Sequence, residues 1–379
     1  MKVSAYRGEV FGESLGLFEK IHGASGVWVA HARYVGRAKS LVAGQKQPRL
    51  ACSSESIAAT RGEFRTPHIG GRIAHMLDDR LTEQRNPRSS AMDVLSPLEL
   101  VDLINFEDRA VAEAVGSQRL AIAKTIELVV EAFRSGGRLI YVGAGSSGRL
   151  GVLDAAEMPP TFGTDPEMVQ GIIAGGHEAL VRSQEGAEDR PEDGAVEIDR
   201  IAAGPKDFVL GIATSGTTPF VLGALARARE CGARTGFLLC TPPAPELLDT
   251  HDVIIAPLVG PEVVTGSTRM KAGTATKMVL NTITTGAMVM TGKVFGNLMV
   301  DLQAKCEKLQ DRGERILMTI LDVDRSRAKE LLEAAGGAVR TALVMERRGA
   351  GVVEAERLLE EAGGVLANVI GSPDEDPSA

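Results

Sequence analysis

Short apolar runs alternate with helical segments over residues 138–291, and this alternation constrains the fold more than any other feature. Strand-length runs bounded by turn residues, with helices between them, predict an α/β fold in which helices cover both faces of a parallel sheet. Two helices precede the first run, starting at the N-cap Ser96 and ending before Gly136. The predicted strands are Arg138–Val142, Met168–Ala174, Phe208–Ala213, Thr235–Cys240 and Val253–Pro257.

The two ends of the chain differ from this central region. Residues 1–75 show no sustained period, and two interpretations stay open: an extension ahead of a true start at Met76, or an irregular N-terminal arm. Near the other end, Leu331–Gly337 is echoed by Leu358–Gly364, which predicts a small helical bundle. We therefore expect a main domain over 76–321, a helical subdomain over 322–371 and a disordered tail over 372–379.

Composition and charge narrow the class of protein. A formal net charge of -8 and a pI of about 5.5 leave no extended basic surface for nucleic acid. Cys52, Cys231, Cys240 and Cys306 form neither a CxxC pair nor a metal-ligand spacing, which is typical of thiols in a reducing compartment. No apolar run reaches the ~18 residues of a membrane span, and the N-terminus lacks a signal-peptide pattern. We expect a soluble cytoplasmic protein that uses no metal.

A glycine- and serine-rich segment, Gly143–Arg149, follows the first predicted strand. We call it the first loop. Its glycines let the backbone approach an anion, the hydroxyls of Ser146 and Ser147 add donors, and the following helix presents free N–H groups. This pattern predicts a phosphate site. A dinucleotide site is the alternative, but Gly175-Gly176 stands where that fold places an acidic residue.

A second hydroxyl-rich segment, the second turn (residues 214–219), follows the strand that begins at Phe208. Loops after parallel strands converge at the carboxyl edge of a sheet, so the two segments predict one crevice for a phosphorylated small molecule. Helix capping is the alternative for any single hydroxyl. The candidate phosphate ligands of this turn are Thr214, Ser215, Thr217 and Thr218.

Four motifs occur in one order: Asp154–Gly163, Glu185–Asp189, Gly260–Ala275 and Gly292–Asp301. Over about residues 76–371 the chain closely resembles the N-acetylmuramic acid 6-phosphate etherase family. The resemblance implies a sugar isomerase (SIS) type parallel sheet sandwiched by helices and a small C-terminal helical (UBA-like) subdomain. It also implies a homodimer with shared active sites, a sugar-phosphate substrate, and no metal or organic cofactor.

The resemblance also implies residue roles. By motif position, Glu157 is the proton donor and Glu188 the second catalytic acid or base; without the resemblance, both would be interpreted as surface carboxylates. Such a pair allows elimination of a lactyl ether and rehydration. Arg149 is interpreted as a structural ion-pair residue. In the signature segment, residues 260–275, the candidate substrate-binding residues are Ser267, Arg269 and Lys271.

Spacing along one predicted helix bears on how the site is assembled. If a helix runs from Ser147 to Glu157, ten residues at ~1.5 Å each separate Glu157 from the first loop by roughly 15 Å. A hexose 6-phosphate does not span that distance comfortably. We therefore expect Glu157 to serve a phosphate bound by a partner subunit.

Two positions depart from the family pattern, in which the second turn usually reads Ser-Gly-Arg-Thr-Pro-Tyr. Thr217 replaces the arginine and Phe220 the tyrosine, and losing a fixed cation weakens or changes a substrate contact. A non-catalytic sugar-phosphate regulator related to glucokinase regulatory protein is the alternative function, and an acidic residue at Glu157 argues against it. An aldose-ketose isomerase of the same fold is a third possibility.

Overall fold

Residues 80–371, apart from 303, 305 and 306, are described by the computed structural model of the chain. The predictions for residues 1–75, for a start at Met76 and for the tail over 372–379 lie outside the described residues. The same holds for Cys52 and Cys306.

A five-stranded parallel sheet forms the centre of the main domain, in the order β2-β1-β3-β4-β5. Each strand lies within two residues of its predicted bounds. The agreement is close because a parallel sheet buries its strands on both faces, so the strands coincide with the apolar runs. The strands are β1 (Leu139–Gly143), β2 (Val169–Ile173), β3 (Phe208–Ile212), β4 (Arg234–Leu238) and β5 (Val253–Ile255).

Helices cover both faces of this sheet, which confirms the predicted fold class. The N-cap Ser96 starts the first helix with a capping box, in which Glu99 bonds back to the Ser96 backbone N–H at 2.8 Å. The helices are α1 (Pro97–Ser117), α2 (Arg119–Arg134), α3 (Gly145–Phe162), α4 (Glu178–Val181), α5 (Pro191–Arg200), α6 (Pro219–Glu230), α7 (Pro245–Leu248) and α8 (Lys271–Met290).

Alternate residues of β1 enter two separate hydrophobic cores. Leu139 and Tyr141 pack in the core shared with α2, α3 and α8, whereas Ile140 and Val142 pack in the core shared with α5 and α6. This follows from the two-residue period of a strand, which sends successive side chains to opposite faces. The elements that carry the first loop and the signature segment therefore share one face of the sheet.

A smaller helical region with its own hydrophobic core follows the main domain, as predicted. Its core begins before the predicted boundary at residue 322, because α9 packs against α10 and α11, and Phe295 of the preceding hairpin joins the same cluster. The elements are β6 (Val294–Phe295), β7 (Leu298–Met299), α9 (Glu307–Leu321), α10 (Arg325–Ala334), α11 (Val339–Arg348), α12 (Val352–Glu361) and α13 (Ala367–Ile370).

Candidate active site

The first loop is the amino-terminal turn of α3, which begins at Gly145, two residues earlier than the spacing suggested. Ala144 at the N-cap supplies no side-chain bond, so the first amide groups of α3 remain available to an anion. Ser146 is half-buried and Ser147 buried. A Cβ on Gly148 would lie 2.7 Å from the Gly143 carbonyl oxygen, so this turn requires glycine.

The second turn lies beside the first loop. In the β1–β3 pair, Gly143 is in register with Ile212, so the segments that follow these two residues leave the sheet side by side. The strand order reverses between β1 and β3, which is where open parallel sheets bind ligands. This register places the two hydroxyl-rich segments at the same edge of the sheet, and their forming one phosphate crevice stays a prediction.

Hydrogen bonds shape the second turn without using its hydroxyls as helix caps. The Ser215 and Thr217 hydroxyl oxygens are 3.2 Å apart, and the backbone N–H of Cys240 donates to the Thr214 carbonyl at 2.9 Å. Thr218, the N-cap residue of α6, makes no side-chain cap bond. Arg80 Nη1 donates to Thr217 Oγ1 at 2.8 Å, so a guanidinium lies next to the residue that stands where the family pattern has an arginine. Sequence reasoning did not identify Arg80.

Glu188 lies on the second-turn side of the domain. It is an exposed residue in a short 3-10 helix (Ala187–Asp189) that packs against α6. The chain continues into Pro191, whose carbonyl oxygen would lie 2.1 Å from a Cβ on Gly223 of α6. Because α6 starts directly after the second turn, this close packing places the Glu188 segment beside the start of α6.

Glu157 lies far along α3 from the first loop. Twelve residues separate it from Gly145, and at ~1.5 Å per residue the separation along the helix is roughly 18 Å, more than the prediction based on a helix start at Ser147. Its side chain is exposed and makes no hydrogen bond or ion pair with any residue of the described part of the chain. One chain therefore brings together the first loop, the second turn and the Glu188 segment, but does not bring Glu157 to its own first loop.

The signature segment holds a buried charge network. Glu262 accepts the backbone N–H groups of Lys271 (3.0 Å) and Ala272 (2.9 Å), so a side chain already occupies the amino terminus of α8. Lys271 is 3% exposed, and its Nζ lies 2.7 Å from Glu107 Oε2. Burial favours a higher pKa for Glu107, but bonds from Lys271, Asn86 and Arg88 hold it below its ordinary value.

Substrate binding by Lys271 stays a prediction, and in this network a substrate anion would have to displace Glu107 from a buried pair. The ion pair predicted for Arg149 is not formed among the described residues. Its Nε donates to the Leu180 carbonyl at 3.1 Å, and no carboxylate within the described residues forms an ion pair with it. Arg269 is exposed without a described partner, and Ser267 is half-buried in the turn ahead of it. Both remain candidate substrate ligands.

Residues 121–229 match the model of the glucokinase regulatory protein N-terminal SIS domain. An N-acetylmuramic acid 6-phosphate etherase from Synechococcus elongatus is 57% identical over 293 residues, covering 76% of this chain and 95% of the relative. The etherase from Rhodopirellula baltica is 49% identical over 303 residues, covering 80% and 100%. The chain belongs to the N-acetylmuramic acid 6-phosphate etherase family.

Solved structures are more distant from this etherase-family chain. A phosphoheptose isomerase from Neisseria gonorrhoeae is 16% identical, with a TM-score of 0.36, and the match covers 49% of this chain and 97% of the isomerase. The sequence relatives therefore carry the family assignment.

The described residues hold no group of three or more His, Cys, Asp or Glu side chains placed to bind a metal ion. Within that same part of the chain, no helix is both long and apolar enough to cross a bilayer. Cys231 and Cys240 are free thiols, and burial raises the pKa of the Cys240 thiol to about 12.

Proposed function

We propose that this protein cleaves the D-lactyl ether of N-acetylmuramic acid 6-phosphate, giving N-acetylglucosamine 6-phosphate and D-lactate. The observation that carries the proposal is the 49–57% identity to etherases over nearly their whole length. These relatives are named etherases, and cleavage of an ether C–O bond is a carbon–oxygen lyase reaction. Its setting is the breakdown and recycling of cell-wall amino sugars.

The sugar phosphate binds in the crevice between the first loop and the second turn. Amide groups at the start of α3 and the hydroxyls around them suit a phosphate dianion, because they provide many donors without a buried counter-charge. Arg269 supplies a cation for the anionic substrate. The phosphate ligands of this proposal are Ser146, Ser147, Thr214, Ser215, Thr217 and Thr218, with Ser267 contributing from the signature segment.

The chemistry requires a base at C2 and an acid at the ether oxygen on C3. In the open-chain sugar the aldehyde acidifies the C2 proton. Glu188 removes it, the C3–O bond breaks, and Glu157 protonates the departing lactate oxygen. Water then adds at C3, and a proton returns to C2, so the second half restores both carboxyl groups to their starting states. Two carboxyl groups carry every proton, and the proposal includes no cofactor.

Glu157 acts on the substrate held by a partner subunit in a homodimer. The separation of roughly 18 Å between Glu157 and the start of its own α3 supports this arrangement. Leu153, four residues earlier on the same helix face, is 49% exposed, which also suits a surface covered by a second copy. We place the enzyme in the cytoplasm, where phosphorylated sugars and reduced thiols occur.

Lactate release from N-acetylmuramic acid 6-phosphate by the purified protein tests the function, with Glu157→Ala as the control. Release by the wild type that is lost in the variant supports the etherase and its acid together. Heterodimers of a Glu157→Ala chain and a chain altered at Ser146 and Ser147 test the shared site. Activity restored in confirmed heterodimers supports it, and the absence of restoration contradicts it.

A non-catalytic sugar-phosphate regulator is the second candidate, favoured by the match of residues 121–229 to a regulatory-protein domain. That reading requires sugar-phosphate binding without lactate release. Glu157 distinguishes the two, since a regulator has no need for a proton donor on this helix face.

A further inference from the structure

A buried carboxylate lies about one helical turn before Glu157, at the start of the Asp154–Gly163 motif, and the proposed mechanism does not use it. Asp154 is 3% exposed. Tyr141 Oη donates to its Oδ2 at 2.8 Å, Asn281 Nδ2 donates to its Oδ1 at 2.6 Å, and Thr284 Oγ1 donates to the same oxygen at 3.3 Å. Both oxygens of a side chain on α3 are therefore bonded to other elements.

These bonds join three elements that carry parts of the site. Tyr141 belongs to β1, which leads into the first loop, and Asn281 and Thr284 belong to α8, which follows Arg269. Lys277 Nζ donates to Asn281 Oδ1, which orients the amide so that its nitrogen faces Asp154. The carboxylate thus fixes α3 against both the sheet and α8.

Glu157 depends on such an anchor because its own helix is weakened directly after it. Pro159 and Pro160 lie inside α3 and have no N–H groups, so the Ala155 and Ala156 carbonyls receive no ladder bond from them. Within the described residues, the Glu157 side chain also makes no hydrogen bond or ion pair that would hold it. Its orientation is therefore set by the turn before it, where Asp154 lies.

We propose that Asp154 is a positioning residue for Glu157, acting through its buried bonds to Tyr141, Asn281 and Thr284. This rests on the proposed function, in which Glu157 donates the proton to the ether oxygen. Asp154 touches neither the substrate nor the reacting atoms in this arrangement. It holds α3 so that the exposed Glu157 carboxylate meets the substrate at a fixed distance and angle.

Two rates separate a positioning role from a general loss of structure. Release of lactate from N-acetylmuramic acid 6-phosphate requires the base and the acid. Exchange of the C2 proton of N-acetylglucosamine 6-phosphate with deuterium from D2O requires phosphate binding and the base, but no cleavage at C3. The ratio of release to exchange therefore reports on Glu157 and its placement, while the Kd of the same product reports on the phosphate site.

Asp154→Asn should lower the release-to-exchange ratio by about ten-fold and Asp154→Ala by about a hundred-fold, since small misplacements of a catalytic group have effects of this size. Asn preserves the shape and one acceptor, so it should retain more activity than Ala. Tyr141→Phe removes one hydrogen bond to Asp154 but keeps the ring, and it should lower the ratio by about three-fold. This variant tests the inference if the Asp154 variants fold poorly. The Kd should stay within about two-fold of wild type.

Asp207→Asn is the matched control. Asp207 is also a buried carboxylate, 5% exposed, but it bonds Arg138 (Nη2–Oδ2 2.8 Å) before the amino-terminal ends of β1 and β3, away from the site. If Asp207→Asn lowers the release-to-exchange ratio as much as Asp154→Asn does, the inference is overturned. It is also overturned if Asp154→Asn leaves that ratio unchanged. Either result leaves the proposed function intact. A wild type that releases no lactate overturns the proposed function, and this inference with it.

Discussion

Replacing Lys271 by methionine tests whether this residue of the signature segment is structural. The Lys271 and Glu107 side chains are 3% and 5% exposed, so the variant leaves a buried carboxylate without its nearest cation. Removing one partner of a buried pair costs about 3–5 kcal/mol. Glu107 keeps a bond from Asn86 Nδ2 (2.8 Å) and the mostly exposed Arg88, so we expect the lower end, about 3 kcal/mol.

Urea unfolding at a fixed protein concentration measures this loss, and a charge-free pair provides the control. Glu107→Gln combined with Lys271→Met removes both charges and keeps an acceptor for Asn86. Replacing both members of a buried pair is often close to neutral, so the double variant should lie within about 1 kcal/mol of wild type. The two substitutions should therefore be strongly non-additive.

Acid should reduce the difference in the free energy of unfolding between the Lys271→Met variant and the wild type. In the wild type the pKa of Glu107 is below its ordinary value, so its contribution to stability is present at neutral pH and is lost as the pH falls through the folded-state pKa. In the variant the desolvation of Glu107 is less opposed, and protonation relieves the buried charge. A loss below about 1 kcal/mol at pH 7 with a raised KM would refute the structural role and support Lys271 as a substrate ligand.

Three further predictions concern Arg80, His251 and Ser96. Arg80→Ala, which removes the guanidinium at Thr217, should raise the KM for the sugar phosphate several-fold in steady-state assays with little change in kcat, whereas an unchanged KM would exclude it from the site. Burial lowers the pKa of His251 to about 4, so the wild type should lose stability between about pH 6.5 and 4, and His251→Phe should lose less in urea titrations across that range. Ser96→Ala should lower the free energy of unfolding by about 1 kcal/mol by breaking the capping box, and no change would mean that the start of α1 does not depend on it.

Local patterns predicted local structure well in this chain. The helix α6 begins at Pro219, directly after the second turn, and Ser96 caps α1 as expected. Both depend on neighbours in sequence: a proline at the first helical position and a hydroxyl three residues before a glutamate. The convergence of the two hydroxyl-rich segments also followed from the sequence, because it needs only parallel strands.

Contacts between distant residues were beyond sequence reasoning. Lys271 and Glu107 are 164 positions apart, and nothing near Lys271 indicates that a carboxylate on α1 will cover it. Arg269 and Lys271 of the signature segment were therefore both predicted to bind substrate, although Arg269 is exposed and Lys271 is buried. Arg80 was missed for the same reason, since its contact with Thr217 spans 137 positions. Asp154 belongs to a sequence motif, but the positioning role proposed for it depends on its bonds to Tyr141 and two residues of α8.

The paired glycines of the first loop restrict how this protein can evolve. Gly143 and Gly148 are so close that a methyl group on either would clash with the backbone of the other. Single substitutions at these two glycines would therefore push the backbone of the first loop apart. Thr217, whose side chain is exposed, faces no such barrier. Changes in substrate preference among descendants of this chain should accumulate at the second turn, while the first loop stays constant.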